Sequence, residues 1–340
     1  MNLFSEHDRF LLYTGKSEEG VPIGDATCDA LVCDPPSSIG FMGQHWDSNK
    51  GGREKWIAWL AVVMAEALRM LKPGAHGLVW ALPRRSHWTA LALENAGFEI
   101  RDIVYHIYAE GFPKNLDVSK KIDKQLGAER KIIGVKVNTY DGSVRDPAKH
   151  SNPAADSSFG QWGLTKTPHG LPLTEPATPE AKQWSGWGTA LKPAVEHWLL
   201  VRKPLLEKDV ARNVMKIGTG AINIDASRTE EGRYPAHLLH DGLALGDHGK
   251  YFYAAKPGKK ERSAGCSAPN AHPSVKSLVL MRYLVKLVTP PDGIVLDVFA
   301  GSGSTGVAAL HCGFGFVGVE EDANYCATAN ERLLDCLQSS

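Results

Sequence analysis

The stretch Val295-Leu-Asp-Val-Phe-Ala-Gly-Ser-Gly-Ser-Thr-Gly306 decides the fold of this 340-residue chain. Its apolar start predicts a buried strand, its three glycines form a G-x-G-x-x-G turn, and the apolar spacing after Gly303 predicts a helix. A second predicted strand, 314–320, ends at Glu320, 19 residues after Gly301. Glycines let the backbone approach a ligand, and an acid ending the second strand can bind both hydroxyls of a ribose. The alternative interpretation is a tight turn beside a solvated glutamate.

The order of these elements narrows the choice of ligand. Only 20 residues follow Glu320, whereas a dinucleotide-binding fold needs further strands after its glycine turn. The remaining strands therefore come from upstream, and the sheet is circularly permuted relative to that of a dehydrogenase. This order counts against NAD and favours S-adenosylmethionine as the cofactor.

The rest of the chain alternates strands and helices, as in a parallel α/β sheet. Apolar patterns predict strands at 30–33, 76–82, 98–108, 197–202 and 293–299, and helices at 56–71, 86–96, 275–288, 303–312 and 323–337. Residues 151–193 contain six prolines and little periodicity, which predicts a loop-rich insertion. The expected fold class is α/β, a doubly wound, mostly parallel and circularly permuted sheet.

A second motif, Asp34-Pro35-Pro36, follows the predicted strand 30–33, which we expect beside the glycine strand. The carboxyl ends of both strands then open on one crevice. An exocyclic amine of a base is a poor nucleophile because its lone pair is conjugated into the ring. A carboxylate from Asp34 and the carbonyl of Pro35 would accept its two hydrogens and favour a tetrahedral nitrogen. As a bare tripeptide, the motif is also compatible with a simple turn.

Together these motifs resemble the β class of DNA amino-methyltransferases, in which the catalytic D-P-P-Y comes first, target recognition follows and the F-x-G-x-G loop is last. The similarity covers roughly residues 28–330 and includes members that occur without a partner endonuclease, although a restriction-modification context stays open. The matching segments are Asp34-Pro35-Pro36-Ser37, Gly186 to Pro193, Phe252 to Lys256, His272-Pro273-Ser274-Val275-Lys276-Ser277, Phe299-Ala300-Gly301-Ser302-Gly303 and Val317-Gly318-Val319-Glu320.

The resemblance implies an adenine-N6 DNA methyltransferase that uses S-adenosylmethionine, acts on double-stranded DNA, forms a homodimer, needs no metal and resides in a bacterial cytoplasm. It implies three segments: a catalytic half at 1–110, a target-recognition region at 111–265 and a cofactor-binding half at 266–340. The implied catalytic residues are Asp34, Pro35, Pro36 and Ser37. The implied cofactor residues are Asp25, His272, Lys276, Asp297, Phe299, Ala300, Gly301, Ser302, Gly303 and Glu320.

Ser37 departs from the family pattern, because relatives place there an aromatic that stacks on the flipped base. Such stacking is worth about 1–3 kcal/mol per base, and a hydroxyl cannot replace it. Phe41 and Trp46 are the nearby candidates for this role, with ordinary core packing as the alternative for both.

The net charge of zero is a sum of opposite blocks: −5 over residues 1–50, +2 over 51–100, +9 over 101–286 and −6 over 287–340. The basic middle is the part expected to meet a polyanion. The candidate phosphate contacts in its sharpest basic cluster are Lys256, Lys259, Lys260 and Arg262.

Other functions fit the sequence less well. Cytosine-C5 methylation needs a Pro-Cys nucleophile, and the sequence contains no Pro-Cys dipeptide. The six cysteines form no C-x-x-C pair, and neither a secretory leader nor a membrane span is expected. Three alternatives stay open: cytosine-N4 methylation, a catalytically silent DNA-binding protein that kept the fold, and a nicotinamide oxidoreductase.

Overall fold

The computed structural model describes residues 1–40, 43–108, 115–135, 172–191, 193–229, 232–240, 252–253 and 257–338. The chain divides into two compact units. The first comprises Met1–Ile39, Ser48–Ala109 and Val195–Ser340, and the second comprises Gly40–Asp47 and Glu110–Ala194. Each unit has its own β-sheet.

A ten-stranded sheet forms the first unit. Its strands are β1 (Asn2–His7), β2 (Phe10–Thr14), β3 (Cys28–Cys33), β4 (Leu71–Ala81), β5 (Glu99–Ile107), β8 (Val195–Arg202), β9 (Leu238–His240), β10 (Phe252–Tyr253), β11 (Ile294–Asp297) and β12 (Gly315–Glu320), and the second unit holds β6 (Ile132–Val135) and β7 (Pro172–Thr174). The spatial order is β1-β2-β12-β11-β3-β4-β8-β5-β9-β10. In the described part of the sheet β1 and β8 run opposite to the other strands, so the predicted mostly parallel sheet is confirmed.

Helices cover both faces of this sheet. The helices of the first unit are α1 (Arg53–Met70), α2 (Ser86–Ala96), α5 (Val210–Ile217), α6 (Lys259–Arg262), α7 (Leu278–Val288), α8 (Ser304–His311) and α9 (Ala323–Gln338), while α3 (Val118–Gln125) and α4 (Pro179–Gln183) belong to the second unit. One apolar cluster joins α7, α8 and α9 to the sheet, and another joins α1 and α2 to it. Strand β3 is buried along its whole length, as expected of a strand covered on both faces.

The strand order reverses between β11 and β3, because the chain continues from these two neighbouring strands toward opposite sides of the sheet. Strand β11 connects through α8 to β12 on one side, and β3 connects through α1 to β4 on the other. The two strands are parallel neighbours, with Leu296 opposite Leu31, which confirms the predicted adjacency. Ligands of open α/β sheets bind at the carboxyl ends of strands at such a point, so the crevice lies here.

Several elements differ from the sequence prediction. The predicted helix 56–71 corresponds to α1, which ends at Met70, but the next strand begins earlier than the predicted residue 76. Lys72-Pro73-Gly74 lie inside β4, where its pairing with β3 is irregular. The hairpin β1–β2 was not predicted because its apolar run is short, yet β2 pairs with β12 along five residues. Strand β8 lies between β4 and β5, so part of the predicted recognition region 111–265 belongs to the large sheet. The functional boundaries themselves stay predictions.

The second unit contains regular structure, of which β7 and α4 lie within the stretch 151–193 that was expected to be loop-rich. Asp123 of α3 is buried and accepts hydrogen bonds from Arg130 Nη1 (2.6 Å) and from the amides of Ala177 and Thr178 (both 3.0 Å). These bonds tie α3 to the start of α4. In the described residues of the chain, no helix is both long and apolar enough to cross a lipid bilayer.

Candidate active site

The glycine loop between β11 and α8 is held in a backbone conformation that suits glycine. Gly301 has φ +53° and Gly303 has φ +79°, both in the left-handed region that L side chains rarely adopt. A Cβ at Gly301 would lie 2.8 Å from His272 Nε2, and one at Gly303 would lie 3.0 Å from Ala329 Cβ. The loop therefore keeps its backbone close to the crevice only with glycine at these positions.

Two acids order this loop. Glu320 Oε2 accepts a hydrogen bond from the amide of Gly301 at 2.7 Å, and its Oε1 accepts one from Asp322 at 2.9 Å. Asp297 Oδ1 accepts a hydrogen bond from the amide of Phe299 at 2.9 Å. Burial raises the pKa of both carboxyl groups to about 7. Both groups therefore change protonation near neutral pH.

The His272 ring lies directly against the glycine loop. Its ring lies in a T-shaped arrangement on Tyr325 with centroids 4.5 Å apart, and its carbonyl accepts a hydrogen bond from Arg262 Nη2 at 2.8 Å. Burial, together with nearby cations, lowers the pKa of His272 to about 4. At neutral pH the loop thus faces an uncharged imidazole.

Arg332 is a loop contact that the sequence analysis missed. It is 2% exposed, and its Nη1 donates hydrogen bonds to Ser302 O (2.6 Å), Ser302 Oγ (3.2 Å) and Ser304 Oγ (3.3 Å). A signal existed, because buried α9 positions recur at helical spacing and Arg332 falls among them. A charged residue within an apolar stripe indicates a specific buried partner.

The carboxyl end of β2 also reaches this edge and was missed together with its strand. The amide of Gly15 donates a hydrogen bond to Glu320 O at 3.0 Å, and Ser17 Oγ donates one to Val298 O at 2.8 Å. Lys16 Nζ lies 3.9 Å from a carboxylate oxygen of Glu321. These residues fix the ends of β2 and β12 beside the glycine loop.

The Asp-Pro-Pro segment stands on the other side of the crevice, directly after β3. The Asp34 side chain is 24% exposed, and its Oδ2 lies 3.0 Å from Lys276 Nζ. The following turn is fixed by Arg85, whose Nη1 donates to the carbonyl and hydroxyl oxygens of Ser38. Pro35, Pro36 and Ser37 line a small pocket together with Trp80 and Arg85.

Asp25 lies at the wrong end of β3 for the role expected of it. It precedes the strand, whereas Asp34 follows it, and six residues of strand span roughly 20 Å. Its carboxylate, 78% exposed, pairs with Arg69 Nη1 at 2.6 Å on α1. The prediction that Asp25 contacts the cofactor or target base is therefore corrected: the residue belongs to the opposite edge of the sheet.

Other predicted residues lie elsewhere or are not described. Lys259 and Lys260 are exposed on α6, whereas Arg262 is half-buried against the His272 carbonyl. Phe41 and Lys256 lie outside the described residues, and Trp46 belongs to the second unit. Base stacking and phosphate contact by these residues stay predictions.

The residues at the crevice fit an adenosine-bearing cofactor, because a loop with glycine at 301 and 303 lies beside the buried carboxyl group of Glu320 at the end of the next strand. A permuted α/β sheet with this loop and an Asp-Pro-Pro turn on the neighbouring strand defines an S-adenosylmethionine-dependent methyltransferase. A family model described as DNA methylase, for the N6 and N4 type, matches residues 28–331, and the chain belongs to this family. It is therefore a DNA methyltransferase.

Two curated relatives agree with this assignment, and a solved structure shares the fold. The chain is 22% identical to the type II methyltransferase M.BglI of Bacillus subtilis, over 98% of this chain and 85% of that protein. It is 24% identical to the type II methyltransferase M.HindIII of Haemophilus influenzae, over 84% and 72%. The solved PvuII DNA methyltransferase, named as cytosine-N4-specific, shares the fold with a TM-score of 0.53 and 13% identity over 97% and 90% of the two chains.

Proposed function

We propose that this DNA methyltransferase acts on the N6 amino group of adenine in duplex DNA. The observation that carries the proposal is the position of Asp34, a partly exposed carboxylate at the carboxyl end of β3, one strand away from the glycine loop. An aspartate before Pro-Pro favours adenine, since cytosine-N4 relatives tend to have serine there. The target base must leave the duplex stack to reach Asp34.

The chain's own groups provide placement and electrostatics. S-adenosylmethionine supplies an electrophilic methyl group on a sulfonium. The Asp34 carboxylate and the Pro35 carbonyl accept the two hydrogens of the amine, which turns the nitrogen lone pair out of conjugation with the ring. The nitrogen would form one bond to the methyl carbon as the carbon–sulfur bond breaks, which would leave S-adenosylhomocysteine, and the methylated amine would then release its surplus proton to solvent. Such alignment needs no covalent enzyme intermediate.

On the cofactor side, Phe299 and Glu320 would contact the adenosyl group, and the backbone of residues 300–303 would approach it closely. The Phe299 ring packs against Trp59, with centroids 6.0 Å apart, which keeps it at the crevice. Glu320 already accepts two backbone hydrogen bonds, and a carboxylate has further lone pairs for ribose hydroxyls. His272 and Asp297 hold the loop in place.

DNA contacts are proposed for the basic cluster and for the region 111–265. Lys259 and Lys260 carry exposed charges on α6, as phosphate contact requires. In the second unit Trp184 and Trp187 are 41% and 61% exposed and form a T-shaped pair with centroids 5.2 Å apart, a surface suited to stacking. We also propose that the protein forms a homodimer and acts in the cytoplasm. Light scattering of the purified protein tests the dimer.

The test is a methylation assay with duplex DNA and tritiated S-adenosylmethionine, followed by nuclease digestion and mass spectrometry of the nucleosides. We expect N6-methyladenine; N4-methylcytosine would overturn the choice of base, and no transfer despite tight DNA binding would indicate a silent DNA-binding protein.

Asp34→Ala should abolish transfer and leave S-adenosylhomocysteine affinity within about threefold. Asp25→Ala, at the opposite edge of the sheet, is the matched control and should retain transfer. Turnover of Asp34→Ala within tenfold of wild type would contradict the role of Asp34.

A further inference from the structure

Lys276 lies at the Asp-Pro-Pro side of the crevice, although its motif suggests a cofactor contact. Its Nζ is 3.0 Å from Asp34 Oδ2, and the Lys276 side chain is only 15% exposed. The residue belongs to the segment immediately before α7, four residues after His272. This short segment therefore places His272 beside the glycine loop and the Lys276 ammonium beside the carboxylate of Asp34, which follows β3.

The ammonium is enclosed by groups from several strands. It lies 4.6 Å from the ring centroid of Trp80 on β4 and 5.9 Å from that of Trp198, the residue directly opposite on β8. Such aromatic faces attract a cation while excluding water. The position of the ammonium is therefore fixed by packing as well as by charge.

Charged groups around the ammonium keep it protonated. Burial opposes the charge, but the carboxylates of Asp34 and Glu196, together with the hydrogen bond to Asp34, raise the pKa of Lys276 above its usual value. Glu196 on β8 also lies 3.4 Å from His106 Nδ1 on β5. Burial, and to a smaller extent the charge of Asp34, raises the pKa of the buried Asp297 at the end of β11. A permanent cation is thus set between carboxylates that would otherwise repel one another.

We propose that Lys276 is a positioning residue for methyl transfer: its ammonium holds the Asp34 carboxylate ionised and in a fixed orientation toward the target amine. This inference rests on the proposed function of Asp34. A protonated Asp34 would lose the negative charge that strengthens its hydrogen bond to the amine and would keep only part of its acceptor capacity. Without the ammonium, the neighbouring carboxylates favour protonation of Asp34. The rate of methyl transfer should therefore decrease mainly at low pH.

The chain offers a matched control for the loss of a partly buried ion pair. Lys72 Nζ lies 2.6 Å from Asp29 Oδ1, with Asp29 7% exposed, at the start of β4 and away from the crevice. We would compare wild type, Lys276→Gln, Lys276→Arg and Lys72→Gln. Single-turnover methyl transfer at saturating DNA and S-adenosylmethionine would be followed from pH 5 to 9, with S-adenosylhomocysteine affinity measured by calorimetry.

For Lys276→Gln we expect a rate at least tenfold below wild type at pH 7, an acid limb moved upward by about one pH unit, and cofactor affinity within threefold. Lys276→Arg should recover most of the rate and the acid limb, and Lys72→Gln should keep the wild-type pH profile. An unchanged profile in Lys276→Gln, or a loss confined to cofactor affinity, would overturn the inference. If Lys276→Gln does not fold, the Lys276→Arg variant decides. Because arginine keeps the positive charge, an upward shift of the acid limb of its pH profile would refute the positioning role. Absence of transfer by the wild type would instead refute the proposed function.

Discussion

The amide of Gly301 donates a hydrogen bond of 2.7 Å to the carboxylate of Glu320, the last residue of the neighbouring strand β12. The same carboxylate accepts a second bond from the amide of Asp322 at 2.9 Å. One side chain therefore fixes the turn after β11 and the turn after β12. The shape of the cofactor loop depends on Glu320 even before any ligand is bound.

Replacing Glu320 with Gln should weaken cofactor binding at least about tenfold. Glutamine offers one acceptor oxygen for two amide donors, and a buried donor left without an acceptor costs about 1–3 kcal/mol. Glu321→Gln is the matched control, because Glu321 is an exposed neighbour whose contact with Lys16 is 3.9 Å long. Calorimetry with S-adenosylhomocysteine measures both variants. Equal affinities for the two would show that Glu320 does not organise the loop.

The raised pKa values of Asp297 and Glu320 predict how stability depends on pH. Both values are about 7 in the folded chain, against ordinary values of 3.8 and 4.5. Between these limits the folded state binds more protons than the unfolded state, so these groups contribute stability at low pH that is lost as the pH rises through 7.

Asp297→Asn isolates this contribution. Asparagine still accepts the hydrogen bond from the Phe299 amide but does not titrate. We expect the melting temperature of wild type to fall by several degrees relative to Asp297→Asn between pH 5 and 8. The comparison cancels the opposite contribution of His76 and His272, whose lowered pKa values are shared by both proteins. Parallel melting curves across this range would contradict the assignment.

The part of the site that could be predicted from sequence is the part that is local in sequence. The strand, the glycine turn, the helix and Glu320 follow one another within 26 residues, so their spacing alone indicates a nucleoside site. The pairing of Lys276 with Asp34 joins segments more than 240 residues apart, and no spacing rule connects them. Asp25 was assigned to the site from the family resemblance alone, whereas the direction of β3 puts Asp25 and Asp34 at opposite ends of the strand.

Arg332 should act on the cofactor loop more than on overall stability. Arg332→Met removes the donor that serves Ser302 and Ser304, but it also removes a buried charge whose burial is costly. We expect S-adenosylhomocysteine affinity to fall about tenfold with little change in melting temperature, and Arg332→Lys to recover part of the affinity. Arg282→Met, on the exposed side of α7, is the control. A large loss of stability with unchanged affinity would show that Arg332 serves the core instead.

Ser37→Tyr should strengthen capture of the flipped base. Ser37 lines the pocket beside Pro35 and Pro36, where relatives place an aromatic ring, and a stacked base is worth about 1–3 kcal/mol. The expected result is a KM for duplex DNA lowered at least about fivefold, together with increased fluorescence of 2-aminopurine at the target position. Ser37→Ala separates the new ring from the lost hydroxyl and should leave both quantities near wild type. If Ser37→Tyr behaves like Ser37→Ala, the stacking surface is supplied by another residue, for which Trp80 in the same pocket is the candidate.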